Sequence, residues 1–105
     1  MTPNLRLALA DWLAWAESDD WEMPSPDGIR YSVGFGLCHA VWKWGRLHGS
    51  SASYSADLSD ELETIVEKDG LHPIFPFGRE NFFPYSGPHD PARIAWVRKT
   101  LREKP

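Results

Sequence analysis

The chain lacks the usual materials of a covalent or metal-held scaffold. It has one cysteine, Cys38, which excludes an internal disulfide and fits a reducing compartment. Its four histidines, His39, His48, His72 and His89, show no H-x3-H or H-E-x-x-H spacing, and no C-x-x-C occurs. Cys38 and His39 are neighbours on an expected helix, about 100° apart, and cannot chelate as a pair. Neither a metal nor any other cofactor is expected. There is no G-x-S-x-G and no Walker-type loop. "GFG" at 34–36 lacks the remaining glycine and the preceding strand of a dinucleotide fingerprint. No apolar run reaches the ~18 residues of a membrane span. The first twenty residues show neither a basic leader nor a small-residue cleavage site. A soluble cytoplasmic protein of one domain, 1–105, is the expectation.

Charge of either sign is moderate in sum but uneven in place. Residues 1–70 carry twelve acidic and five basic side chains, whereas 71–105 carry three acidic and six basic. The net charge of −4 argues against general nucleic-acid binding, which wants a clustered basic field. The candidate basic cluster is C-terminal: Arg93, Arg98, Lys99, Arg102 and Lys104. An acidic patch is expected from Asp11, Glu17, Asp19, Asp20 and Glu22, extended by Asp57, Asp60, Glu61, Glu63 and Glu67 if the third helix lies nearby. It reads either as a solvated loop or as an electrostatic lure for a basic partner.

What the chain has in excess is tryptophan, six in 105 residues, which suggests a core of few bulky pieces with some rings at the surface. Apolar periodicity predicts about four short helices. The first, 4–17, carries the stripe Leu5, Leu9, Trp12, Leu13 and Ala16, with Thr2 or Asn4 as cap and Pro3 in the first turn. Leu7 and Trp15 lie off that stripe. An acidic, proline-bearing loop follows at 18–28, with Trp21 and Met23 folding back. A short extended piece is read at 29–33.

The second helix, within 34–49, shows two apolar stripes: Leu37, Val41, Trp44 and His48, beside Phe35, Cys38, Trp42 and Gly45. So wide an arc suggests the central helix, capped by Ser32 and stopped at Gly49. Gly45 would allow another element to approach closely. Residues 50–55 read as a polar linker. The third helix, 56–68, buries Leu58, Leu62, Ile65 and Val66. The fourth begins at Asp90-Pro91 and buries Ile94, Val97 and Leu101. The fold class is mainly α; the alternative is α+β with a small sheet near 29–33 or 72–77.

Between the last two helices, "LHPIFPFGRENFFPYSGPHDP" (71–91) holds four of five phenylalanines and five of nine prolines. The prolines push their preceding residues away from helix and remove donors a central strand needs. The stretch reads as an ordered irregular loop, since its aromatic content opposes the composition of disorder. Ile74, Phe75 and Phe77 are expected to be buried. Arg79, Glu80, Phe82, Phe83 and Tyr85 are the expected partner-binding residues, with Trp96 beside them, because aromatic and Arg anchors dominate binding hot spots.

"HPIFPFG" (72–78), followed by "DPARIAWVRKTL" (90–101), resembles the C-terminal half of small uncharacterised proteins of tailed bacteriophages. These carry an aromatic-proline segment, a tyrosine, and an N/D-P-x-R-x-x-W-[VI] helix. "GFGLCHAVWKW" (34–44) is similar to a Gly-x-Cys segment in some of them. The resemblance covers about a third of the chain. It implies a phage or prophage origin and supplies no chemistry.

Two function classes follow. One is a non-enzymatic interaction protein that binds and inhibits or redirects a host macromolecule, such as a defence or nucleic-acid-processing enzyme. A host protein would be the partner; a homodimer is compatible, and membrane binding is not expected. The other is a small ligand-binding or enzymatic domain, in which Cys38, His39, His72, Tyr85 and His89 converge on a pocket.

Overall fold

A computed structural model describes residues 1–31, 36–49, 52–69 and 91–103. Four helices make up its regular structure: α1 (Pro3–Ala16), α2 (Leu37–His48), α3 (Ala52–Lys68) and α4 (Pro91–Glu103). No strand occurs among the described residues. The chain is mainly α, and residues 29–31, which alternate as a strand would, form no strand. The 72–77 segment lies outside the described residues.

Thr2 caps α1 by accepting the Leu5 N–H, with Pro3 in the first turn. The Thr2 backbone N–H and hydroxyl both donate to Glu61, at 2.7 and 2.6 Å. A carboxylate from α3 thus sits at the positive end of α1, where the helix dipole favours it. At the far end of α4, Arg6 donates to the Leu101 carbonyl at 2.5 Å, satisfying one of the acceptors a helix terminus leaves open.

The core joins Leu5, Leu9, Trp12 and Trp15 of α1 to Leu37, Val41 and Trp44 of α2, Leu58, Leu62 and Val66 of α3, and Trp96 and Val97 of α4. Four tryptophans are buried in it, while Trp21 and Trp42 stay exposed. Of the two residues off the α1 stripe, Trp15 is covered and Leu7 is exposed. The central helix is α1, which packs against all three others, rather than α2. The reason lies in the second α2 stripe: Trp42 points outward and Cys38 is only half-buried.

α2 and α3 make the most extensive helix pair. They meet at Gly45, where an added β-carbon would lie 3.0 Å from the Ser55 Cα. Gly45 therefore serves the close approach its position suggested. Gly36, not Ser32, holds the N-cap of α2, and the helix starts at Leu37, which keeps Gly36 out of an unfavourable helical interior. At the other end, a β-carbon on Gly49 would enter the ring of Tyr54, so only glycine fits under that ring.

α3 begins at Ala52, so part of the expected polar linker is helical. Ser55 is fully buried there: packing against α2 overrides the weak helix preference of serine. α4 is also turned from its expected face. Arg93, Trp96, Val97 and Thr100 are buried, whereas Ile94 and Leu101 are partly buried. These four buried positions share one face at helical spacing, and two of them are polar, which hides them from an apolar count. Trp96 donates its indole N–H to Asp69 at 2.9 Å. It is a core residue, not the exposed contact ring expected of it.

Candidate functional site

A polar constellation joins α1, the turn after it and α2. Ser25-Pro26-Asp27-Gly28 forms a β-turn closed by Gly28 N–H to Ser25 C=O at 2.8 Å, with proline and glycine where such turns favour them. Gly28 has φ +84°, a left-handed conformation natural to glycine. The buried Ser25 hydroxyl then accepts the Ile29 N–H at 3.1 Å. This geometry presents the backbone N–H of Asp27 to Asp11 on α1, at 2.9 Å.

Asp11 is only 6% exposed. Its second oxygen accepts the Tyr31 hydroxyl at 2.9 Å, and the Tyr31 ring lies 5.5 Å from that of Trp15. Burial, and then the negative field and hydrogen bond of Asp11, hold the Tyr31 hydroxyl well above the ordinary tyrosine range. The Asp27 carboxylate accepts the Trp44 indole N–H at 2.9 Å and stands 3.4 Å from His48 Nε2. His48 stacks on Trp44 with ring centres 4.2 Å apart. It sits at the exposed end of α2 rather than on the buried stripe.

A second feature is the outer face of α2. His39, Trp42 and Arg46 share that face at helical spacing. The His39 ring meets Trp42 edge-on at 6.1 Å, and the Arg46 guanidinium lies 5.9 Å from the Trp42 ring centre. Trp42 is 40% exposed.

Of the expected acidic patch, Glu17, Asp19, Asp20 and Glu22 are exposed. Asp11 does not belong with them, because it is buried and bonded as described. Glu17 pairs with Arg98. Asp20 turns its carboxylate onto the Glu22 N–H at 3.0 Å. Trp21 folds back as expected, its indole N–H reaching the Ala16 carbonyl while Trp15 reaches the Trp21 carbonyl, each at 3.2 Å. Met23 does not and remains exposed. Of the α3 acids that could extend the patch, Glu61 is at the opposite, N-terminal end of α1.

The partner-binding set Arg79, Glu80, Phe82, Phe83 and Tyr85 lies outside the described residues, as do Ile74, Phe75, Phe77, His72, His89 and Lys104. Cys38 and His39 diverge. His39 faces Trp42, and the half-buried Cys38 faces Ser59 and Glu63 of α3. Burial, then Glu63, push the thiol up to about 12, although a hydrogen bond with Ser59 works the other way. Such a thiol is almost wholly protonated near neutrality, the reverse of an activated nucleophile. No group of three or more potential metal ligands occurs among the described residues. Of the C-terminal basic cluster, Arg93 is buried and Arg98 is paired, leaving Lys99 and Arg102 exposed. No helix among the described residues is long and apolar enough to cross a membrane.

Tyr31, Asp27 and Trp44 did not stand out in the sequence as site residues. The available signal was Asp11 itself, an acid inside an apolar helical run whose burial demands donors from elsewhere. No protein-family model, curated protein or solved structure matches the chain.

Proposed function

We propose that the chain is a non-enzymatic interaction protein that docks on a macromolecular partner through the outer face of α2. The exposed Trp42, with Arg46 beside its ring, is the observation that carries this reading. Tryptophan and arginine are the residue types that most often anchor interfaces. A large ring held on a helix needs little further ordering when a partner covers it. The phage resemblance points to a bacterial host protein as the partner, whose activity the bound chain would inhibit or redirect. The exposed acids Asp19, Asp20 and Glu22 would speed encounter with a basic target. Residues 79–85 are proposed as a second part of the same contact.

The test is capture from bacterial lysate with the wild-type chain and with Trp42→Ala and Arg46→Ala. A partner retained by the wild type and lost, at least tenfold, by both variants supports the reading. Recovery of no partner under gentle conditions, or equal recovery by all three chains, removes the α2 face from the proposal.

A further inference from the structure

We infer that the groove between α1 and the 25–28 turn is a binding site for an alkylammonium group, the side chain of a lysine presented by a partner. The groove has a volume of about 240 Å3 and is lined by Leu7, Ala10, Asp11, Ala14, Pro26 and Asp27. A water molecule occupies ~30 Å3 of liquid, so the space holds several heavy atoms. Four of the six lining residues are apolar. Leu7, Ala10 and Ala14 follow one another along one side of α1 at helical spacing, and Leu7 is largely exposed. Pro26 adds an apolar surface from the turn. This is a lining for a methylene chain.

The charged end is set by Asp11. Its two hydrogen-bond donors, the Asp27 amide and the Tyr31 hydroxyl, are both neutral. Among the described residues no cation lies in ion-pair range of it. A carboxylate taken out of water with neutral donors alone keeps a demand for positive charge. Asp27 lines the same groove, with its Oδ2 turned to the Trp44 indole N–H and His48.

An ammonium suits this site better than a guanidinium. Each Asp11 oxygen already accepts one bond, which obstructs the parallel two-oxygen fork that arginine prefers, whereas an ammonium binds as a point charge. The exposed Asp19, Asp20 and Glu22 would raise the local concentration of a basic segment. The site is independent of the α2 face, since no lining residue belongs to α2.

The experiment titrates the full chain at low salt with acetyl-Gly-Lys-Gly-amide, followed by backbone amide NMR shifts. Matched peptides carry norleucine, Nε-acetyl-lysine or arginine in place of the lysine. Saturable shifts are expected at Ala10, Asp11, Ala14 and Asp27, at least tenfold weaker for the two neutral peptides and several-fold weaker for arginine. Asp11→Asn should abolish them. Should that variant fold poorly, Ala10→Leu fills the groove from an exposed helical position without touching Asp11, and it should weaken binding tenfold or more. The inference is overturned by equal binding of the norleucine peptide, by shifts confined to 19–22 that Ala10→Leu leaves unchanged, or by no saturable shift.

Discussion

A β-carbon placed on Gly45 would sit 3.0 Å from both the Cα and the Oγ of Ser55, and 3.2 Å from a Leu58 methyl. The α2–α3 crossing is therefore set by the absence of one side chain and the smallness of another. Gly45→Ala gains about 1 kcal/mol of helix propensity. It then meets a backbone atom that cannot rotate away, and overpacking of this kind costs about 1–3 kcal/mol. A net loss of up to about 2 kcal/mol in urea unfolding is expected. Ser55→Ala should move the other way. The buried Ser55 hydroxyl has no hydrogen-bond partner among the described residues, so removing it should stabilise by about 0.5–1 kcal/mol. A stabilised Gly45→Ala would mean that the helices are free to part.

Tyr31 gives the protein an alkaline limit. Its hydroxyl donates to a buried carboxylate, and Tyr31→Phe should cost about 1.5–3 kcal/mol near neutrality, the range for hydrogen bonds to charged groups. The folded state holds the Tyr31 proton more tightly than the unfolded chain does, because burial and Asp11 raise its pKa. Between the two values the native state binds more protons, so stability falls as pH rises. This contribution is fully present below the ordinary tyrosine value of about 10 and declines above it. Denaturation midpoints between pH 9 and 12 should fall more steeply for wild type than for Tyr31→Phe. Parallel curves would show that the phenol is not held as described.

Cys38 offers a chemical readout of the same α2–α3 seam. Its thiol is raised to about 12 from an ordinary 9.0, by burial first and Glu63 second. At pH 8 the folded chain should react with iodoacetamide on the order of a hundred- to a thousandfold more slowly than the urea-unfolded chain, in proportion to its thiolate. Glu63→Gln should speed the reaction of the folded chain by removing the second cause. The linkage adds to that of Tyr31: stability present below about pH 9 is lost as pH climbs towards 12. Fast native labelling, unchanged in Glu63→Gln, would return Cys38 to the candidates for chemistry.

Much of the helical frame was legible because it rests on local signals. Thr2-Pro3 and Asp90-Pro91 mark helix starts by backbone chemistry, and Leu58, Leu62 and Val66 repeat at helical spacing. Three of the misreadings share one cause, the burial of polar or small residues by a neighbouring element. Ser55 joined α3 because Gly45 admits it. Arg93 and Thr100 turned α4 away from its apolar stripe. Asp11 left the acidic surface because a turn sixteen residues on supplies its amide. Periodicity ranks positions by hydrophobicity and carries no information about donors from distant sequence, so the Asp11–Tyr31 and Asp27–Trp44 bonds had no local trace. The aromatic stretch at 71–91 drew most weight in the sequence; its expected contact residues lie outside the described residues, so the proposals on α2 and α1 stand beside it rather than in its place.

Gly28 tests the turn that organises the Asp11 network, and it separates backbone strain from crowding. It has φ +84°, and nothing lies within 4 Å of the position a β-carbon would take. Gly28→Ala meets no steric neighbour, so any loss reports the left-handed backbone alone, about 1–2 kcal/mol. Asparagine tolerates this region better than alanine, and Gly28→Asn should lose less than half as much. The strain should also reach Asp11 through the Asp27 amide. Hydrogen exchange at Asp27 and Ile29 should quicken in Gly28→Ala more than in Gly28→Asn, while amides inside α3 keep their protection relative to global stability. If both variants lose equally, a requirement other than the sign of φ governs the turn. If neither loses, the turn adjusts freely, and the hold of Asp27 on Asp11 is weaker than its 2.9 Å bond implies.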